Sequence, residues 1–111
     1  MKIDEQRHGD VTVVGPQGPL TGADTDQFQA HMVKLLNERS AMIVLDASKI
    51  PFVDSRALEV LVDVTEQLIR SGRALKLVGV NSTLREVLEV TELASLFEQF
   101  DDVGAAVGSL R

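Results

Sequence analysis

Four apolar residues run without a break from Met42 to Leu45, and Asp46 ends them. A run of that length suits a strand covered on both faces. Leu75–Val78 and Val11–Val14 predict two more strands, with Ile3–Arg7 a weaker strand in front. Gly9-Asp10 reads as the hairpin turn between the first two. Gly15-Pro16-Gln17-Gly18-Pro19 reads as a loop, because two prolines and two glycines fit poorly inside a ladder.

Between these runs the apolar spacing turns helical. Phe28, Met32, Leu35 and Leu36 predict a first helix that starts near Asp24, takes Gln27 as capping-box partner and ends near Arg39-Ser40. A second helix runs from Ser55 to about Ser71 and is stopped by Gly72. A third starts around Ser82, with Leu84, Val87 and Leu88 on one face. Leu93–Phe97 is a short turn, and Glu98-Gln99-Phe100 is a candidate last edge strand. Asp102 then caps a terminal helix carrying Val103, Val107 and Leu110. Strands alternating with helices predict an α/β domain with a mixed, partly parallel sheet of four to five strands and about four to five helices.

The second helix has three arcs. Leu58, Leu61, Val62, Thr65, Leu68 and Ile69 make a stripe expected to face the sheet, with Arg56, Glu59, Asp63, Glu66, Gln67 and Arg70 opposite. Ala57, Val60 and Val64 fall between them. Packing under a neighbouring helix is the leading reading of this arc, and a docking flank beside Ser55 for a partner helix is the other.

With 111 residues the chain is expected to be one domain, residues 1–111, and long enough to bury a core without staples. Hydrophobic residues at 44% and charged residues at 25% are ordinary for a soluble globular protein. No apolar run approaches a membrane span or a secretory leader, so a cytoplasmic location without membrane insertion is expected. A net charge of −6 repels phosphate backbones, which argues against direct nucleic-acid binding. The absence of cysteine excludes a disulfide framework and thiol catalysis.

Signals for other chemistry are weak. His8 and His31 lie far apart in different elements and support no zinc site. Phosphate-binding glycine loops of the Gly-x-x-x-x-Gly-Lys-Ser/Thr and Gly-x-Gly-x-x-Gly types are missing, as is a Gly-x-Ser-x-Gly elbow with a later histidine. Asp101-Asp102 reads as a helix start and Asp4-Glu5 as a solvated strand edge. Neither a cofactor nor catalysis by this chain alone is expected.

Asp54-Ser55 is the segment with a chemical reading. As a dipeptide it is an N-cap and its neighbour. It also sets a hydroxyl on the first turn of a helix, where backbone N–H groups lack intrahelical partners and an anion is favoured. Ile43-Val44-Leu45-Asp46, then Phe52-Val53-Asp54-Ser55 and Leu58, together resemble the signature of the STAS-domain anti-sigma-factor antagonists. The Gly18-Pro19-Leu20-Thr21 loop resembles the family's loop before helix one. Val80-Asn81-Ser82, with Leu84, Val87, Leu88 and Leu93-Phe97, resembles its third helix and the element next in the chain. The resemblance spans essentially the whole chain and implies a single STAS domain.

By that resemblance Ser55 is the phospho-acceptor of a partner kinase, and Asp54, Ser55, Arg56, Ala57, Val60 and Thr21 form the partner-binding surface. The implied partners are a GHKL-type kinase anti-sigma factor and a PP2C-type phosphatase. Two departures stand out. The family's usual Asp-Ser-Ser-Gly or Asp-Ser-Ala-Gly is here Asp54-Ser55-Arg56-Ala57, so a methyl replaces the glycine and a cation is gained. The acidic residue of the loop before helix one is Thr21. Arg56 near the positive end of a helix calls for an acidic neighbour, with Asp54, Glu59 or an acidic partner surface as candidates. It could also pair with a phosphate on Ser55.

The sequence supports three readings. The first is an anti-sigma-factor antagonist that sequesters its kinase and is switched off by phosphorylation at Ser55. The second is a structural STAS module in a signalling assembly, or an accessory subunit of a transporter ATPase. The third, a small-nucleotide binder or enzyme, has least in its favour. The oligomeric state is left open.

Overall fold

The run Met42-Ile43-Val44-Leu45 forms the central strand of a five-stranded sheet. The computed structural model describes residues 1–38, 42–73 and 75–110. In chain order the elements are β1 (Lys2–His8), β2 (Val11–Gln17), α1 (Gly22–Leu36), β3 (Met42–Asp46), α2 (Ser55–Arg70), β4 (Leu75–Val78), α3 (Ser82–Val90), a 3₁₀ turn (Ala94–Leu96), β5 (Glu98–Phe100) and α4 (Val103–Ser109). The strands lie side by side in chain order. β1 pairs antiparallel with β2, and every other neighbouring pair is parallel. This is the expected α/β domain with a partly parallel sheet.

Alternation along the strands splits the core in two. Val14, Ile43, Leu45, Leu75 and Leu77 join Phe28, Met32 and Leu35 of α1, residues of α2, and Leu84 and Leu88 of α3. Enclosing a side chain such as Phe28 or Met32 completely contributes roughly 1.5–3 kcal/mol. Val11, Val13, Val44 and Val78 form the other layer, covered by Ala106 and Val107 of α4. Asp102 caps α4 as expected, accepting from the Ala105 amide at 2.7 Å. Gly72 follows α2 in the left-handed conformation, which ends the helix.

Three expectations are corrected. Gly15, Pro16 and Gln17 belong to β2, where they pair with Asp4, Ile3 and Lys2. The parallel pairing of β2 with β3 stops at Val14, so Pro16 sits where the strand has a neighbour on one side only, and its missing N–H leaves no gap in a second ladder. Helix α1 begins two residues earlier than expected, at Gly22. Gln27 caps nothing: its side-chain amide donates to the Met1 carbonyl at 2.8 Å. Arg39 and Ser40, where that helix was expected to end, lie outside the described residues; α1 as described ends at Leu36, with Asn37 as its C-cap.

The third correction concerns α2. Its buried residues are Ala57, Val60, Leu61, Val64, Thr65 and Leu68, whereas Leu58 and Val62 are half-buried and Ile69 is 56% exposed. The packed face is therefore turned from the expected stripe toward the Ala57-Val60-Val64 arc, because α2 is wedged against α1 as well as lying on the sheet. Thr65 sits in this face with its hydroxyl donating to the Leu61 carbonyl at 2.8 Å. Among the described residues no helix is long and apolar enough to cross a membrane.

Candidate functional site

The segment before α2 is fastened to the loop before α1 by backbone. Leu20 forms a parallel bridge with Val53. Its amide donates to the Phe52 carbonyl at 3.1 Å, and its carbonyl accepts from the Asp54 amide at 2.9 Å. From the other side, Asn81 at the start of α3 donates to the carbonyls of Ile50 (3.2 Å) and Pro51 (3.1 Å) while capping its own helix through the Leu84 amide. These ties set the N-termini of α1 and α2 side by side.

Asp54 joins them. Its Oδ1 accepts from the Ala57 amide at 2.8 Å, the ordinary cap of α2. Its Oδ2 accepts from the Gly22 amide at 3.0 Å, at the first residue of α1. The Thr25 hydroxyl adds a longer bond to Oδ1 at 3.4 Å. One carboxylate thus caps two helices. Thr21, the N-cap of α1, is half-buried and supplies no side-chain cap of its own; Asp54 supplies it instead. The Ala57 and Gly22 amides hold the Asp54 carboxyl below its usual 3.8; burial opposes them less strongly, and Thr25 and the Arg56 charge add still smaller effects in the amides' direction. With both oxygens engaged, Asp54 fixes the geometry of the turn.

Ser55 is the first residue of α2. It is exposed, and among the described residues its hydroxyl has no hydrogen-bond partner. Next to it, Arg56 reaches across to α1, where its Nη2 donates to Asp26 Oδ1 and, at 3.4 Å, to Gln29 Oε1. Within the chain the partner is thus Asp26, not the expected Asp54 or Glu59, because α1 runs alongside the first turn of α2. Asp26, ahead of the more distant Asp54 and Glu59, raises the guanidinium pKa further.

Asp54, Ser55, Arg56 and Thr21 therefore come together at one end of the α1–α2 pair. Ala57 and Val60 lie beneath that surface, fully buried and 4% exposed respectively. The extra methyl of Ala57 faces the core and leaves the outside of the turn unobstructed. The sequence left two residues of this surface unassigned to the site. Phe52, two positions before the cap, is 51% exposed; it lies in a loop without periodicity, so nothing local assigned it to core or surface. Asp26 was one of two acidic residues near the start of α1, with no spacing to mark its partner. Among the described residues no group of three or more His, Asp or Glu side chains is placed to hold a metal ion.

The model of the STAS domain family matches residues 2–106. The chain belongs to the STAS domain family. This STAS domain is 23% identical over its whole length to BtrV of Bordetella bronchiseptica, a proposed anti-sigma factor antagonist, and covers 96% of that protein. Its fold matches a solved structure of a proposed anti-sigma factor antagonist from Thermotoga maritima, with a TM-score of 0.87 and 24% identity over 96% of this chain and 92% of the other. It also matches the Bacillus cell fate determinant SpoIIAA in its phosphorylated form, with a TM-score of 0.79 and 15% identity over 99% and 100% of the two chains. The resemblance read from the Phe52–Leu58 segment and its flanks is borne out at the level of family and fold.

Proposed function

We propose that this STAS domain is an anti-sigma-factor antagonist. It binds a GHKL-type kinase anti-sigma factor through Asp54, Ser55, Arg56 and the Thr21 loop, with the exposed ring of Phe52 beside them. Phosphorylation of Ser55 by that kinase releases it, and a PP2C-type phosphatase restores binding. The domain itself acts as a binding module, without catalysis of its own.

The observation that carries this reading is the exposed, unpartnered Ser55 hydroxyl on a turn that Asp54 fixes from both sides. A phosphate there adds about −1.5 to −2 charge to the middle of the docking surface. The names of BtrV and of the Thermotoga protein point the same way, and the burial of the Ala57 methyl removes an obstacle to close approach.

The test is incubation with the candidate kinase and ATP, followed by intact-mass spectrometry and peptide mapping. The wild-type chain is expected to gain one phosphate on Ser55, and Ser55→Ala none, with an unchanged circular dichroism spectrum. A phosphate mapped to another residue overturns the assignment.

A further inference from the structure

We propose that Arg56 is a built-in phosphate ligand: when Ser55 is phosphorylated, the guanidinium leaves Asp26 for the phosphate, and the tie between α1 and α2 opens. This rests on the reading of Ser55 as the modified residue and adds a regulatory step to it.

In the unmodified protein Arg56 is committed across the helix pair, to Asp26 and Gln29 on α1. That commitment is weak in kind. The side chains of Arg56 and Asp26 are 49% and 59% exposed, and ion pairs so open to water are screened and add little. A phosphate on the adjacent residue is a stronger competitor: it carries close to twice the charge of Asp26 and three acceptor oxygens, in a geometry that a guanidinium meets with two parallel bonds.

The other acids around Arg56 are Asp54 and Glu59. Both oxygens of Asp54 are already engaged by the amides of Gly22 and Ala57. Glu59 lies one turn further along α2. The principal competition is thus between Asp26 and the phosphate, and the balance of charge favours the phosphate.

The exchange changes the surface in two places. Part of the phosphate charge is neutralised within the chain, and Asp26 is left as an uncompensated carboxylate on α1. Phosphorylation thereby adds one anion and uncovers another, which extends the altered surface from the turn onto the neighbouring helix. The Asp-Ser-Ser-Gly arrangement usual in the family would have no such cation.

The experiment uses full-length protein with phosphoserine installed at position 55 during synthesis, so that no kinase is needed. The second ionisation of the phosphate is followed by ³¹P NMR at low salt in the wild-type sequence and in the Arg56→Ala, Arg56→Gln and Asp26→Asn variants. Removing the guanidinium is expected to raise the phosphate pKa by about half a unit in both Arg56 variants. Asp26→Asn is expected to lower it below the wild-type value, because the competing carboxylate is gone. An unchanged titration in both Arg56 variants shows that Arg56 stays on α1 and overturns the proposal. A normal Arg56 effect with no effect of Asp26→Asn overturns the exchange, since phosphate and Asp26 would then not compete. A chain that no kinase modifies at Ser55 defeats the functional reading, and the phosphoserine titration still decides the role of Arg56.

Discussion

A single carboxylate serving two helix starts makes Asp54 the residue on which the site depends most. An ionised Asp54 is favoured in the fold because two backbone amides, led by Ala57, donate to it. Its folded pKa lies below the ordinary 3.8, so its contribution is complete above that value and is lost as pH falls through the lower, folded value. Asp54→Asn keeps one acceptor but turns an NH₂ toward the other donor. The variant is expected to melt several degrees below the wild type near neutral pH. The gap should close once the pH falls below the folded value, where the wild-type carboxyl is also neutral. A gap that stays constant on acidification would assign the loss to shape and not to charge. The wild type itself is expected to lose stability over the same acid range, while Asp54→Asn changes less.

At the scale of elements, the close contacts are set by backbone as much as by side chains. Gly79, just after β4, has φ +67°, and a Cβ built there would lie 2.8 Å from the Cβ of Ser48. Gly79→Ala therefore combines left-handed strain with overlap against the loop after β3. It is expected to cost roughly 1–3 kcal/mol in a urea unfolding titration. A smaller change would mean that the Ser48 loop gives way freely.

Elements were legible in the sequence wherever local pattern decides them. The unbroken run Met42–Leu45, the stripe of Leu84 and Leu88, and the capping aspartates Asp54 and Asp102 each declare themselves within a few residues. What stayed hidden depends on neighbours distant in the chain. Pro16 is tolerated because β3 stops short beside it; the packing of the Ala57-Val60-Val64 arc under a neighbouring helix was, by contrast, the leading reading of its spacing, and α1 is that helix. In the site, Ser55 and its cap could be read from one turn of helix. The Asp54 bond to Gly22 and the Arg56 pairing with Asp26 could not: they join residues 32 and 30 positions apart, with no periodicity to mark them.

For the molecule as a whole, the sheet needs cover on both faces. Three helices serve one side, while α4 alone closes Val11, Val13, Val44 and Val78 on the other. Val107 is 5% exposed in that small layer. Val107→Asp puts a carboxylate into this apolar layer, and a loss of roughly 2–4 kcal/mol is expected. Increased binding of a hydrophobic dye would report the uncovered strands. Wild-type stability in this variant would show that α4 is dispensable to the fold.

The order of the strands leaves β1 and β5 at the two margins of the sheet. Four of the seven residues of β1, Lys2, Asp4, Glu5 and Arg7, are charged, and β5 has only three residues. Charge on one margin and brevity on the other are both devices that discourage edge-to-edge association. Side-by-side stacking of copies into a continuous sheet is thereby disfavoured at either end.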